Sequence, residues 1–214
     1  MTEELEQGTD AWKLAKCGCV GASRVADIIA KTKSGFSASR ANYMAQLIAE
    51  RLTGVPAETY TNQAMQWGTD TEAEARAAYQ FETGTLVQKV GFVPHPGILM
   101  AGASPDGLVG DQGLLECKCP QTSTHIDTLL GQSVPGKYVT QMQFQMACTG
   151  RKWCDFVSFD PRMPESMRLF IKRVPRDSRT IGDLETQVIE FLSELDAKLA
   201  ALTSRYGAPV REAA

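Results

Sequence analysis

The sequence predicts an α+β fold in which helices flank a central mixed β-sheet, an arrangement similar to an α/β sandwich. The apolar residues follow a helical period as far as residue 84, and they then alternate as in consecutive strands up to about residue 120. A long stretch of helical period closes the chain. With 214 residues, of which 43% are hydrophobic, residues 1–214 are expected to form a single domain.

Two helices are predicted in the first quarter of the chain. Ser23 is placed to cap the N-terminus of a helix that extends to about Lys31. A second helix starts at about Ser39 and carries one apolar stripe. We expect it to end at Gly54, because glycine readily adopts the left-handed conformation that is common just beyond a helix.

A third helix is predicted over roughly Asn62 to Glu82, and Gly84 follows its end. Glu72 lies near its middle, on the flank of the apolar stripe, where a solvated acid is also a sufficient explanation. The positions expected to face inward are Met65, Ala75, Ala78 and Tyr79.

Strand-like segments occupy the middle of the chain and precede two further helices. Glycines and prolines separate three such segments between residues 85 and 120, which predicts a meander with a tight connection at Gly110–Gly113. A helix at about Gly136–Thr149 and two strands around a turn at Pro161–Pro164 come next. The apolar face of the final helix comprises Ile181, Leu184, Val188, Phe191, Leu195 and Leu199.

The overall composition excludes few functions. A formal charge of −3 gives no global basic surface, so that any nucleic-acid contact has to be local. No apolar stretch is long enough to span a bilayer and no signal peptide precedes the first helix, so a cytoplasmic protein is expected. Without a secretion signal, the six cysteines are expected to be reduced thiols.

The segment SPDGLVGDQGLLECKCP, residues 104–120, places ionisable residues within apolar strands. Since side chains alternate along a strand, Glu116 and Lys118 share one face, and Cys117 points to the other with its neighbours Leu115 and Cys119. The turn after residue 109 folds the preceding strand back, and this brings Asp106 beside Glu116. Three ionisable groups are therefore predicted to meet at one edge of the sheet.

This group of residues suits metal-assisted hydrolysis. Two carboxylates and a backbone carbonyl form a hard oxygen site, which favours Mg²⁺ or Mn²⁺ over zinc. A nearby Lys118 can orient or deprotonate an attacking water and offset charge in the transition state. The alternative is that Asp106 and Glu116 are solvated strand ends and that Lys118 forms a weak surface ion pair.

The cysteines and histidines give weaker signals. Cys17 and Cys19 together with Cys117 and Cys119 could form a four-thiolate zinc site, but their spacing differs from that of zinc knuckles. The two histidines, His95 and His125, have no partner at metal-ligand spacing; His125 is assigned to a loop after the strand of Glu116 and is interpreted as a surface residue.

Pro105-Asp106 followed by Glu116-Cys117-Lys118 resembles the motif of the PD-(D/E)xK nuclease superfamily. The fuller segment is similar to the phage lambda exonuclease branch, the YqaJ-like recombination exonucleases, which implies a restriction-endonuclease-like core. The similarity continues in the same order along nearly the whole chain. It includes DAW at 10–12, GAS at 21–23, LTGV at 52–55, QWG at 66–68, YVTQMQ at 138–143 and DPRM at 160–163.

The resemblance implies a role for each matching residue. Asp106, Glu116 and the carbonyl of Cys117 would bind metal, and Lys118 would be the catalytic lysine. Glu72 would face a second metal or its water, and Gln141 would lie behind the site. The 5′-phosphate of the digested strand would contact Lys16, Ser23 and Ser104, while Met65 would be the apolar wedge that parts the duplex.

One of these positions departs from the family. Lys16 stands where an arginine is expected, which keeps the charge but loses the bidentate geometry of the guanidinium. Met65 at helical spacing is also well explained as a core residue.

The resemblance further implies a Mg²⁺-dependent enzyme with two ions per site, Mn²⁺ being an alternative. It would digest linear double-stranded DNA in the 5′-to-3′ direction to 5′-mononucleotides and leave 3′ tails for recombination. A homotrimeric ring and a single-strand annealing partner are expected, with Lys31, Lys33, Arg40 and Lys137 as candidates for the ring lining. A structure-specific or restriction-type endonuclease and a non-catalytic DNA-binding protein are the alternatives.

Overall fold

A computed structural model describes residues 6–33, 35–58 and 62–207, apart from the side chains of residues 64 and 65. Within these residues the helices are α1 Asp10–Ala15, α2 Val25–Ile29, α3 Ala38–Thr53, α4 Gln63–Thr83, α5 Thr122–Gly131, α6 Gly136–Thr149 and α7 Ser178–Tyr206. The strands are β1 Val20–Gly21, β2 Lys31–Thr32, β3 Gly35–Phe36, β4 Val87–Gln88, β5 Val93–Pro94, β6 Ala101–Ala103, β7 Gly107–Val109, β8 Gly113–Lys118, β9 Trp153–Phe159 and β10 Leu169–Pro175. Short 3₁₀ turns occur at Ala22–Arg24 and Glu165–Met167.

A five-stranded mixed sheet of order β10-β9-β8-β7-β4 lies at the centre, which confirms the predicted fold class. β8 is its middle strand, antiparallel to β7 and parallel to β9. Gly107 pairs with Leu115, so the same register continued by one residue places Asp106 opposite Glu116. Lys118 pairs with Ser158, so that β8 and β9 end at the same edge.

The two faces of this sheet are covered by different helices, and the alternation of β8 decides which residues face each one. Leu115 and Cys117 pack with Ala75 and Tyr79 of α4. On the opposite face, Leu114 packs with the methionines of α6. Because Glu116 and Lys118 share the parity of Leu114, they face α6. That the two share one face, opposite Cys117, is as the alternation predicted.

A second core lies between the helices and a small three-stranded sheet of order β1-β6-β5. Tyr43 of α3 and Phe191 of α7 stack there with ring centroids 5.8 Å apart. The predicted single meander is therefore wrong. β6 pairs with β1 and with β5 in the small sheet, and of the strands between residues 87 and 118 only β4, β7 and β8 join the main sheet. The partner strand β1 is two residues long, too short to show a period in the sequence.

Several predicted helices are present with nearly the expected bounds. Gly54 ends α3 with a φ of 71°, in the left-handed region where glycine has no steric penalty. The predictions for α4 and α6 are confirmed to within about one residue. Five of the six predicted apolar positions of α7 are buried, whereas Leu199 is only partly buried.

Other predictions are corrected. Ser23 does not cap a helix: it lies in a 3₁₀ turn and is exposed, and α2 begins at Val25 and ends at Ile29. His125 is not a surface residue, because it belongs to the unpredicted helix α5 and is fully buried. Its Nε2–H donates to the carbonyl of Met167 at 2.8 Å, and its Nδ1 lies 2.7 Å from Oγ of Ser158.

All six cysteines are free thiols, four of them buried. Over the described ranges, none of the helices combines the length and apolar character that crossing a lipid bilayer requires.

Asp160, in the loop after β9, forms an ion pair with Arg162 of the same loop and a hydrogen bond with Thr122 at the start of α5. The Asp160 side chain is 0% exposed and accepts from Nε of Arg162 at 2.7 Å and from the hydroxyl of Thr122 at 2.6 Å. Burial alone would raise the pKa of Asp160, but the hydrogen bonds from Arg162 and Thr122 outweigh it and lower the pKa to about 2.

We expect Asp160→Asn to lower the free energy of unfolding at neutral pH by roughly 1–2 kcal/mol, a range reduced because Arg162 is half exposed. The lowered pKa means that this stabilisation is present above the usual aspartate pKa and is lost as the pH falls toward 2. Urea unfolding across pH 2–7 should show the two stability curves converging at low pH. A constant difference at every pH would contradict this account.

Candidate active site

The end of β8 brings together the three ionisable residues that the sequence grouped. The carboxylate of Asp106, which lies directly before β7, accepts from the backbone N–H of Cys117 at 2.7 Å. This bond ties Asp106 to the strand that carries Glu116 and Lys118. Lys118 Nζ forms an ion pair with Oε1 of Glu116. The β7–β8 hairpin alone therefore brings Asp106, Glu116 and Lys118 together, as predicted.

The carboxylate of Glu116 is the most buried acidic group of the site, with its side chain only 1% exposed. Oε1 accepts from Nε2 of Gln141 at 2.6 Å, in addition to the ammonium of Lys118. Oε2 accepts from Nε2 of Gln145 at 2.6 Å. A buried carboxylate needs such donors, because desolvation of an unpaired charge costs several kcal/mol.

The electrostatics of the site favour an additional positive charge. Burial raises the pKa of Asp106 well above its ordinary value, and the negative charge of Glu116 adds to the increase. Burial alone would lower the pKa of Lys118, but the charges of Glu116 and Asp106 outweigh it and raise the pKa. Lys118 is therefore protonated here, and one ammonium is shared between two carboxylates.

Glu72 of α4 and Asp106 both line a cleft of about 590 Å³. The carboxylate of Glu72 forms an ion pair with Arg76, one helical turn later. Burial and the charge of Glu116 are the main causes of the raised pKa of Asp106, and the charge of Glu72 makes a smaller contribution in the same direction. The structure thus brings Glu72 toward the predicted metal ligands, although Arg76 holds it.

The donor set suits a hard divalent cation. In the part of the chain that the structure describes, no group of three or more His, Cys, Asp or Glu side chains is placed to hold a metal ion. A cation here would be held by Asp106 and Glu116 together with backbone oxygen, for which Cys117 is the predicted donor, and by oxygens of substrate or water. Few protein ligands and several outside oxygens are the usual environment of Mg²⁺.

The residues predicted to bind a 5′-phosphate adjoin this cleft. Lys16 and Ser23 line a second cavity of about 440 Å³, and Trp12 borders both cavities. The indole N–H of Trp12 donates to Oγ of Ser104 at 3.0 Å, and Lys16 Nζ lies 3.5 Å from the centroid of its ring. Burial lowers the pKa of Lys16, while Glu50 opposes the decrease. Trp12 therefore links Lys16 to Ser104.

Three further predictions concern the Met65 wedge, the Arg40 lining and the four-thiolate zinc site. The side chain of Met65 lies outside the described residues, so the wedge stays a prediction. Arg40 is not available for a DNA-facing lining, because its side chain is 9% exposed and its guanidinium forms two bonds to Glu194. The thiols of the zinc hypothesis occupy different surroundings: Cys17 lies against the carbonyl of Glu50, whereas Cys117 and Cys119 pack under α4.

Gln145 is the residue of this site that the sequence did not reveal. It follows Gln141 by four residues, so that both amides project from the same side of α6. The Gln145 side chain is buried, and its Oε1 has no hydrogen-bond partner among the described residues. The i, i+4 glutamine pair was visible in the sequence, but only the packing of α6 against β8 shows that it faces Glu116.

We expect Gln145→Leu to weaken binding of Mg²⁺ or Mn²⁺ by about 10–100-fold, because Oε2 of Glu116 loses the amide that orients it. Isothermal titration calorimetry of the metal into the full-length protein measures this directly. Gln143→Leu is the matched control: Gln143 is a buried amide of the same helix, but it bonds the Pro175 carbonyl and the Asp177 N–H. Equal losses of metal affinity in both variants would show that Gln145 acts only through stability.

Comparison with known proteins gives a consistent result. Residues 11–152 match the YqaJ-like viral recombinase domain. The alkaline exonuclease LHK-Exo from Laribacter hongkongensis is 52% identical, with a TM-score of 0.86 over 92% of this chain and 97% of that one. LHK-Exo is matched equally in a structure of its complex with dAMP.

A more distant structure supports the fold alone. The phage-related exonuclease from Haemophilus somnus is 17% identical, with a TM-score of 0.70 over 86% of this chain and 96% of that one. No curated protein is similar enough to count as a match. The family model nevertheless covers more than half of the chain, and LHK-Exo is 52% identical over 92% of it; the chain therefore belongs to the family of YqaJ-like viral recombinase domains, the lambda exonuclease-like proteins.

Proposed function

We propose that this chain is a Mg²⁺-dependent 5′-to-3′ exonuclease that digests one strand of linear double-stranded DNA to 5′-mononucleotides. The single observation that carries this proposal is the grouping of Asp106, Glu116 and Lys118 at the end of β8. The 52% identity to an alkaline exonuclease, a protein also known in complex with a mononucleotide, supports the exonuclease assignment. Residues 1–214 would act as a single nuclease domain.

The proposed roles follow from the contacts of each side chain. Asp106 and Glu116 would hold one Mg²⁺, with the Cys117 carbonyl, and Glu72 would serve a second ion or its water; Mn²⁺ could replace Mg²⁺. The metal would polarise the scissile phosphate and acidify a bound water. Gln141 and Gln145 keep the Glu116 carboxylate fixed.

The position of Lys118 suits two roles in hydrolysis, proton transfer and stabilisation of negative charge. Its ammonium pairs with Glu116 and lies 5.3 Å from the ring centroid of Tyr138. When a cation takes over the charge of the two acids, the interactions that raise the pKa of Lys118 weaken. Lys118 can then orient the attacking water, accept its proton, or offset the charge of the transition state.

End polarity would come from the cavity beside Trp12. Lys16 and Ser23 line it, and Ser104 is connected to it through the Trp12 indole. A terminal 5′-phosphate bound there would place the first phosphodiester bond near Asp106, because Trp12 borders both cavities. This arrangement favours an exonuclease over the endonuclease alternative, which does not need a site for a chain end.

The wider biology follows from the family. We propose a homotrimer around the DNA, cytoplasmic action in a bacterial host cell, and a partner that anneals the 3′ single-stranded tails for recombination. Lys31, Lys33 and Lys137 are exposed and remain candidates for a basic lining, without Arg40. Met65 remains the proposed wedge.

Duplex DNA with labelled ends tests the proposal directly. With Mg²⁺ we expect mononucleotides from the 5′ end, faster digestion of 5′-phosphorylated than of 5′-hydroxyl ends, and no reaction in EDTA. Lys118→Ala should reduce hydrolysis at least 100-fold and leave duplex binding largely intact. Lys172→Ala, an exposed lysine on β10, is the control and should behave like wild type.

Three outcomes would contradict parts of this proposal. Cleavage of covalently closed circular duplex would favour the endonuclease alternative. Binding without hydrolysis under every metal condition would favour the non-catalytic one. Undiminished activity of Lys118→Ala would refute the assignment of the site.

The lysine that departs from the family gives a separate prediction. Lys16→Arg should increase the preference for 5′-phosphorylated over 5′-hydroxyl ends by roughly 3–10-fold, since a guanidinium can form two parallel bonds to a phosphate. The measurement compares the ratio of the two initial rates. Lys13→Arg is the matched control, because Lys13 is half exposed and paired with Asp10. If Lys16→Arg leaves the ratio unchanged, Lys16 does not contact the phosphate.

A further inference from the structure

A stacked Trp–Arg pair, Trp67 with Arg162, lies at the same sheet edge as the candidate active site. β8 and β9 are parallel and Lys118 pairs with Ser158, so Pro120 and Asp160 each lie two residues beyond that pair. Arg162 follows in the loop after β9, and its Nη2 lies 3.4 Å from the Pro120 carbonyl. Arg162 is therefore adjacent to the segment that carries Lys118.

The other member of the pair comes from the first turns of α4. The guanidinium carbon of Arg162 lies 4.6 Å from the centroid of the Trp67 ring. The backbone of α4 also approaches the end of β8, because a Cβ at Gly68 would lie 3.9 Å from the Cys119 carbonyl. The indole N–H of Trp67 is buried and has no acceptor among the described residues. Since the indole N–H forms no hydrogen bond to these residues, Trp67 is held by packing and by its contact with the Arg162 guanidinium.

Arg162 is fixed on one side and open on the other. Its Nε and Nη2 donate to Asp160 at 2.7 and 2.9 Å, and Asp160 is held in turn by Thr122. Nη1 has no protein partner among the described residues, and 47% of the side chain is exposed although Asp160 is fully buried. A long side chain of this kind normally loses rotamer entropy when it binds, but here the fold has already fixed it.

We propose that the Trp67–Arg162 pair is a DNA contact in which Arg162 binds a backbone phosphate of the strand entering the site. The proposal rests on the proposed nuclease function and adds a substrate contact to it. A guanidinium with two nitrogens fixed by a buried acid and one nitrogen free can donate to a phosphate oxygen without reorganisation. Such contacts set the position of the duplex and carry no sequence preference.

The test is the salt dependence of binding to a labelled 5′-phosphorylated duplex, measured by fluorescence anisotropy in EDTA so that the DNA stays intact. Each phosphate contact contributes about 0.9 to the slope of log affinity against log salt concentration. We expect Arg162→Gln to lower this slope by about 0.9 and to weaken binding roughly tenfold at low salt. Arg162→Lys keeps the charge and should retain the wild-type slope.

Arg168→Gln is the matched control, because it removes the same charge from a partly exposed arginine near the same loop that pairs with Glu165. An unchanged slope in Arg162→Gln would overturn the proposal, and so would an equal decrease in both glutamine variants. A lower slope in both Arg162 variants would indicate altered folding, not a phosphate contact, and would also overturn it. If wild type digests DNA ends but Arg162→Gln and wild type have equal salt slopes, the nuclease function stands and the Arg162 contact is refuted. If wild type does not bind DNA at all, both the function and the contact are refuted.

Discussion

The charge on Glu116 is the constraint on which the rest of the site depends. Its carboxylate is placed inside the protein by the alternation of β8, and two amides of α6 and the ammonium of Lys118 compensate for its burial. Adding Asp106 to the same edge gives the site two acids and one lysine, which pairs with Glu116. Acids with perturbed pKa values that lie close together in a cleft are typical of functional sites.

The surrounding architecture explains how the site is both rigid and accessible. The middle strand of the sheet holds Glu116 between two layers of helices, whereas Asp106 and Glu72 both line the cleft. The segment around Trp12 closes the other side through its bond to Ser104. Parallel pairing of β8 and β9 adds a second set of polar residues, Asp160 and Arg162, to the same edge. The ends of β8 and β9 thus hold both the proposed metal ligands and the proposed phosphate contact of Arg162.

Much of this could be predicted from the sequence, for identifiable physical reasons. The period of two in β8 is local, so it separated Glu116 from Cys117 correctly, and the helical period and terminal glycine of α3 set its bounds. Gln145 and His125 were missed because their partners lie on elements distant in sequence, β8 for one and β9 for the other. The strands between residues 87 and 109 span two or three residues each, too short for periodicity to decide which sheet each one joins.

The central claim is that a divalent cation binds between Asp106 and Glu116, and anomalous diffraction from crystals soaked in Mn²⁺ tests it most directly. We predict a peak at the end of β8, in contact with both carboxylates at a typical metal–oxygen distance of about 2.0–2.2 Å. It should be absent from crystals of Asp106→Asn. A protein that hydrolyses DNA but shows no peak there, or shows one bound to other residues, would contradict the account.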